Sequence, residues 1–90
     1  MSVVKIPTVL RPSVGGAKEI ELDGATVGEV VRALVASHPA LDTQVLTPDG
    51  ELNRYVNVYV NGQDVRYLEG LDTPVGERDE VRLLPAMAGG

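Results

Sequence analysis

The stretch YVNVYVNGQDVRY at residues 55–67 restricts the fold more than any other part of the sequence. Its valines, at 56, 58 and 60, alternate with polar and aromatic residues, as in a strand that buries one face. Asn61-Gly62 follows, the dipeptide favoured by a two-residue type I′ turn, which needs a positive φ at both positions. The sequence therefore predicts a β-hairpin with an inward valine face.

The turn also determines which residues should face each other across this hairpin, because the side-chain period of a strand is two. With Asn61 and Gly62 in the loop, the second strand is predicted to continue to residue 67. The expected pairs are Val60 with Gln63, Tyr59 with Asp64, Val58 with Val65, Asn57 with Arg66, and Val56 with Tyr67. Tyr55 and Tyr59 then lie on the outward face.

The first 22 residues predict another strand pair. VVKIPTVL (3–10) is rich in β-branched residues, RPSVGG (11–16) supplies turn formers, and AKEIEL (17–22) alternates again. Pro7 conflicts with a regular strand, since proline lacks a ladder donor and belongs at an edge or a bulge. The sequence leaves that conflict open.

A helix is predicted over residues 27–37. Thr26 and Glu29 have the spacing of a capping box, and Pro39 disfavours a helical residue before it. An apolar stripe at helical spacing consists of Val27, Val30, Val31 and Leu34. Residues 40–54 carry turn formers without a sustained period, which indicates a loop with one short turn of helix.

The segment DEVRLLP (79–85) predicts a last strand, with Val81 and Leu83 on one side and Arg82 and Leu84 on the other. The order is therefore β-β-α-β-β-β, an α+β plan in which one helix covers one face of the sheet. The other face is left to water or to a partner.

Charge and composition exclude several function classes. The net charge of −5 has the wrong sign for holding nucleic acid, and no apolar run is long enough to span a membrane. The chain has no cysteine, and His38 is its one histidine, so neither a zinc site nor any catalytic residue is predicted. The start, MSVVKIP, lacks the pattern of an export signal, and we expect a cytoplasmic protein.

Acidic residues are concentrated between residues 64 and 80, where six acids accompany two arginines. Such a segment could steer the domain toward a basic partner, but a solvated, charged surface is the simpler interpretation. Asp72 and Asp79 lie in turn-like surroundings, where no burial that would shift a pKa is predicted.

The chain ends in LLPAMAGG, and we expect a folded domain over residues 1–85 followed by a flexible tail over 86–90. Since no side chain offers a nucleophile with its base, the best chemical group is the terminal carboxylate of Gly90. Five residues after Pro85 extend at most about 17 Å. Glycines can pass through a narrow site of another protein where larger side chains clash.

This combination resembles the small sulfur carriers of the ThiS/MoaD family, which have the ubiquitin-like β-grasp fold, a mixed sheet with one helix packed on one face. The resemblance is strongest in RYVNVYVNGQDVRYLEGLDTPVGERDEVRLLPAMAGG, and IPTVLRPSVGG is similar to the branch of the family that serves cysteine biosynthesis in actinobacteria. It covers essentially the whole chain.

The resemblance implies that a ubiquitin-activating-type adenylyltransferase uses ATP to activate Gly90, with Gly89 beside it, and that sulfur transfer leaves a C-terminal thiocarboxylate. It further implies a sulfur-accepting synthase, dependent on pyridoxal phosphate or belonging to natural-product synthesis, and a zinc protease of the JAMM type. No cofactor is expected to reside on the carrier itself.

The face that ubiquitin-like proteins use for docking corresponds to a set of outward residues. We assign to it Tyr55, Tyr59, Arg82, Leu84, Pro85 and Met87. Two alternatives stay open: a protein modifier joined through Gly90 to lysines of its targets, and a binding module whose tail has no role.

Overall fold

A five-stranded mixed sheet carries the main helix on one face in the structure, a computed structural model that describes residues 2–85. The strands are β1 (Ser2–Lys5), β2 (Glu19–Leu22), β3 (Val56–Val60), β4 (Gln63–Asp64) and β5 (Glu80–Pro85), in the spatial order β2-β1-β5-β3-β4. β1 and β5 are parallel, and the other neighbours are antiparallel. The predicted order and α+β plan are confirmed.

Helix α1 (Val27–Ser37) has the predicted bounds because both of its ends are specified locally. The Thr26 hydroxyl accepts a hydrogen bond from the Glu29 N–H at 3.2 Å, and the Glu29 carboxylate accepts one from the Ala25 N–H at 3.3 Å. The two side chains thus satisfy one unpaired N–H of the first helical turn and the N–H of the residue that precedes the N-cap. His38, before Pro39, leaves the helical region with φ −135° and ψ 77°.

The core lies between α1 and the sheet, and it is built mainly from valine and leucine. Its members are Val4, Ile6, Leu10, Val14, Val27, Val30, Val31, Leu34, Leu41, Val45, Val56, Val58, Val60, Val65, Val75, Val81 and Leu83. The stripe predicted on α1 and the valine face predicted on β3 are both buried. Burial of this apolar area is the main favourable term in folding.

The strand predicted over residues 3–10 is too long, since β1 ends at Lys5 and residues Thr8–Val14 form a 3₁₀ segment. The Ile6 N–H still bonds the Lys18 carbonyl at 2.8 Å, but Pro7 has no N–H with which to continue the ladder. The turn then buries Leu10 and Val14, which a straight strand would hold away from the helix. Pro7 therefore marks the end of the strand.

The second hairpin begins as predicted, with φ of 50° at Asn61 and 87° at Gly62. The pairs Tyr59–Asp64 and Val60–Gln63 are confirmed, whereas the three pairs beyond them are wrong. The Asp64 carboxylate accepts a hydrogen bond from the Arg66 N–H at 2.8 Å, and the chain turns into a 3₁₀ segment at Val65–Tyr67. That bend places Val65 fully in the core.

Arg66 replaces the missing ladder with side-chain contacts. Its guanidinium donates to the Asn57 side-chain oxygen and to the Val56 and Asn53 carbonyls, the latter two at 2.9 and 3.0 Å. These bonds tie the loop before β3 to the far edge of the sheet. The loop itself contains the expected helical turn, α2 (Asp42–Val45), which follows a 3₁₀ turn at Pro39–Leu41.

Asn61 also joins the hairpin turn to the start of β5. Its side-chain N–H bonds the Asp79 carboxylate at 2.9 Å, and its side-chain oxygen accepts the Glu80 N–H at 3.0 Å. The other Asp79 oxygen accepts the Gly76 N–H at 2.7 Å. The Gly76 bond, followed by the Asn61 bond, lowers the pKa of Asp79, so hydrogen bonding rather than burial perturbs this carboxyl.

Neither helix within residues 2–85 has the length and hydropathy that a membrane span requires.

Adjacent leucines of β5 provide a matched stability test. Leu83 is buried in the core and Leu84 is 38% exposed. We expect Leu83→Ala to lower the free energy of unfolding by about 2–5 kcal/mol, because it leaves a cavity, and Leu84→Ala to lower it by about 1 kcal/mol or less. Urea unfolding followed by circular dichroism measures both. Equal losses would contradict the assignment of the two faces.

The hydrogen bonds that the Asp79 carboxylate accepts from Asn61 and Gly76 predict a pH-dependent contribution to stability. Because the pKa of Asp79 is lowered in the folded state, its contribution is present above the unfolded value near 3.8 and disappears as the pH falls through the folded value. Asp79→Asn should therefore be less stable than the parent at pH 6, and the difference should shrink below pH 4. Thermal unfolding at both pH values tests this, and a pH-independent difference would exclude the charge as its cause.

Candidate docking face and C-terminal strand

The position of β5 in the sheet determines which residues surround the chain as it approaches its C-terminus. β5 lies between β1 and β3, and it pairs with β1 over residues 80–82 and with β3 over residues 81–85. Arg82 is the register partner of Lys5 on one side and of Tyr59 on the other. The last described residue, Pro85, pairs with Val56. The structure thus holds the chain firmly until five residues before Gly90.

Three predicted docking residues come together on the open face of the sheet. Arg82 and Leu84 alternate with the buried Val81 and Leu83, and Tyr59 lies beside Arg82 on the same face. The Arg82 guanidinium is 3.5 Å from the Glu80 carboxylate. This face therefore combines an aromatic ring, an aliphatic side chain and a partly compensated cation.

The other predicted docking residues lie apart from this group. Tyr55 precedes β3 and is 56% exposed, with the Arg54 guanidinium 5.2 Å from its ring centroid. Pro85 falls at the end of β5 and is half-buried, and strand alternation puts it on the opposite side from Leu84. Met87, Gly89 and Gly90, together with the predicted tail at 86–90, lie outside the described residues.

A groove beside β5 was missed by the sequence reasoning. It has a volume of about 870 Å³ and lies between the end of β5, the segment from Lys5 to Arg11 and the start of β2. Val9 lines it and is 64% exposed. The sequence places residues 8–10 in a predicted strand and so gives no indication of the groove, whereas the observed 3₁₀ segment turns Val9 outward.

The described side chains of residues 2–85 form two surfaces near the end of β5, the open face and the groove. Within that range, no group of three or more histidine, aspartate or glutamate side chains converges to hold a metal ion. The perturbed carboxyl, Asp79, is bonded to Gly76 and Asn61 at the start of β5 and lines neither the groove nor the open face.

These features define a β-grasp, ubiquitin-like domain whose central strand leads to the C-terminus. A chain of the Amycolatopsis orientalis BexX/CysO complex matches it with a TM-score of 0.90 and 40% identity, covering 100% of both chains. The small archaeal modifier protein 1 of Methanosarcina acetivorans matches with a TM-score of 0.88 and 33% identity, over 99% of this chain and 95% of the other.

Sequence comparison agrees with the structural matches. The sulfur carrier protein CysO of Mycobacterium tuberculosis is 44% identical over 89 residues, covering 97% of this chain and 96% of the relative. The model of the ThiS family matches residues 4–90. The chain therefore belongs to the ThiS family, which confirms the predicted resemblance and the β-grasp fold.

Proposed function

We propose that this protein is a sulfur carrier that holds sulfur as a thiocarboxylate on Gly90. The observation that carries the proposal is the ThiS family match, which extends to residue 90 and so includes Gly89 and Gly90. A relative that is 44% identical over nearly its full length is a sulfur carrier protein. The absence of cysteine is consistent with sulfur held on the main-chain terminus instead of on a side chain.

The proposed chemistry begins with activation of the terminus. A Gly90 carboxylate oxygen attacks the α-phosphorus of ATP, pyrophosphate leaves, and an acyl adenylate forms. Hydrosulfide then attacks the acyl carbon and displaces AMP. With hydrosulfide the products are the thiocarboxylate, AMP and a proton. The carrier is the substrate in both steps, so it is not itself an enzyme and needs no resident cofactor.

The proposed partners follow from this sequence of steps. A ubiquitin-activating-type adenylyltransferase supplies the ATP site, and a sulfur-accepting synthase, dependent on pyridoxal phosphate or part of natural-product synthesis, consumes the thiocarboxylate. A JAMM-type zinc protease would release a product left on the terminus. We propose that the protein acts in the cytoplasm, since activation of Gly90 consumes ATP. The pairing of CysO with BexX in the Amycolatopsis orientalis complex supports a dedicated partner.

The open face of the sheet is the proposed contact for the activating enzyme. Tyr59, Arg82 and Leu84 share this face and lie on or beside the strand that leads to Gly90. A partner bound there is within reach of the terminus, since the five residues after Pro85 extend at most about 17 Å. Tyr55, Pro85 and Met87 would contribute at its margin.

Sulfur loading of the purified protein tests the proposal directly. After incubation with ATP, the activating enzyme of the same organism and sulfide, we expect exchange of one oxygen for sulfur at Gly90. The mass gain resembles oxidation of Met1 or Met87 to the sulfoxide. Fragmentation must therefore localise the change to Gly90, and an alkylating agent must react with it.

A variant that lacks Gly89 and Gly90 is the matched control. We expect it to gain no sulfur while its unfolding transition is unchanged, because the buried core is complete within residues 2–85. An unfolded variant would also gain no sulfur, so circular dichroism must show that the variant is folded. If Gly90 instead forms amide bonds with lysines of other proteins, the carrier proposal is wrong and the modifier proposal replaces it. The similarity to a small archaeal modifier protein is the observation that favours this second function.

Substitution of the open face tests its role in activation. Tyr59→Ala should raise the KM of the adenylation reaction by about five- to thirtyfold, since interface aromatics contribute about 1–2 kcal/mol. ATP-pyrophosphate exchange measures this, with Tyr67→Ala as the control because Tyr67 is 88% exposed outside that face. Unchanged kinetics for Tyr59→Ala would remove the open face from the proposal.

A further inference from the structure

The groove beside β5 has a charge opposite to that of the protein. Its charged side chains are Lys5, Arg11, Lys18, Arg82 and Glu19, four cations with one carboxylate, in a chain whose net charge is −5. A concave site with one dominant sign of charge concentrates its field and attracts the opposite charge. The groove is therefore a local positive site on an acidic protein.

Two of the four cations are already compensated, and two are not. Lys5 pairs with Glu19, and Arg82 lies 3.5 Å from Glu80. The Lys18 ammonium has no hydrogen bond or ion pair with any residue between 2 and 85. Arg11 uses its Nε–H to hold the Ile6 carbonyl at 3.1 Å, and it has no carboxylate partner within the same range.

The groove also offers apolar surface beside the free cations. Val9 is 64% exposed at its rim, and Leu84 is 38% exposed where β5 reaches it. The Arg11 bond to Ile6 fixes the backbone on which Val9 is carried. Apolar and cationic groups that lie side by side on a fixed backbone suit a peptide segment better than a small anion, which would use the charges alone.

We infer that this groove docks an acidic segment of a partner protein, with carboxylates at Arg11 and Lys18 and an apolar side chain between Val9 and Leu84. Because the groove adjoins Pro85, a segment bound there lies beside the point where the chain leaves toward Gly90. That the partner is the activating enzyme rests on the proposed function. That the groove binds acidic peptide does not.

A peptide titration tests the binding independently of any enzyme. The probe is a short peptide with blocked ends, in which two leucines are flanked on each side by two acidic residues, added to the isotope-labelled protein in heteronuclear NMR. We expect saturable chemical-shift changes confined to the backbone amides of residues 5–11 other than Pro7, of Lys18, and of Leu83 and Leu84. Shifts elsewhere, equal binding of the same peptide with basic flanks, or the same shifts with inorganic phosphate alone would overturn the inference.

Charge reversal supplies the matched variants. Lys18→Glu should weaken peptide binding by about three- to tenfold, since the Lys18 side chain is exposed and makes no hydrogen bond or ion pair with residues 2–85. Arg78→Glu changes the net charge equally but lies before the start of β5, away from the groove, and should bind as the parent does. Val9→Ser should also weaken binding. Equal losses for Arg78→Glu and Lys18→Glu would reduce the effect to net charge and overturn the specific site.

Adenylation kinetics separate this inference from the proposed function. We expect Lys18→Glu to raise the KM of the carrier in ATP-pyrophosphate exchange by about three- to tenfold without changing kcat. If the parent protein is not adenylated, the proposed function fails and the peptide titration still decides the groove. If the parent is adenylated and Lys18→Glu behaves identically, the groove has no role in activation.

Discussion

The parallel pairing of β1 with β5 at the centre of the sheet is the constraint on which the rest of the structure depends. It sets Val4 opposite Val81, both buried, and places the first and last strands of the described chain side by side. Parallel neighbours need a long crossover. Here that crossover includes α1, which covers the sheet, and the β3–β4 hairpin, which extends it. The strand nearest the C-terminus thereby becomes the central strand of the sheet.

This placement determines where the described chain ends relative to the two candidate binding surfaces. Pairing of residues 83–85 with β3 and burial of Val81 and Leu83 fix the direction of β5 at the end of the described chain. A partner that binds the open face or the groove therefore receives the terminus from a defined point. The acidic segment between residues 64 and 80 and the positive groove give the surface two signs of charge, which favours one orientation of approach.

The sequence could predict elements whose ends are specified by neighbouring residues. Helix α1 matches its predicted bounds because Thr26, Glu29 and Pro39 act within one turn of its ends. The turn at Asn61-Gly62 matches because its positive φ values are a local preference. The predicted strand ends are wrong where packing against residues distant in sequence determines the backbone conformation. Strand pairing stops at Pro7, after which Leu10 and Val14 are buried, and it stops again at Val65, which is itself buried. In each case the core contacts are made with residues far away in sequence.

By itself, the sequence determined the element order and the inward faces of α1, β3 and β5, because periodicity and turn chemistry are properties of short segments. Only the tertiary structure decided that β3 pairs with β5 along its length, that Tyr59 and Arg82 are neighbours, and that Arg11, Lys18 and Val9 share a groove with Leu84. Those relations join residues dozens of positions apart. They follow from how the sheet closes around one core, which no local pattern encodes.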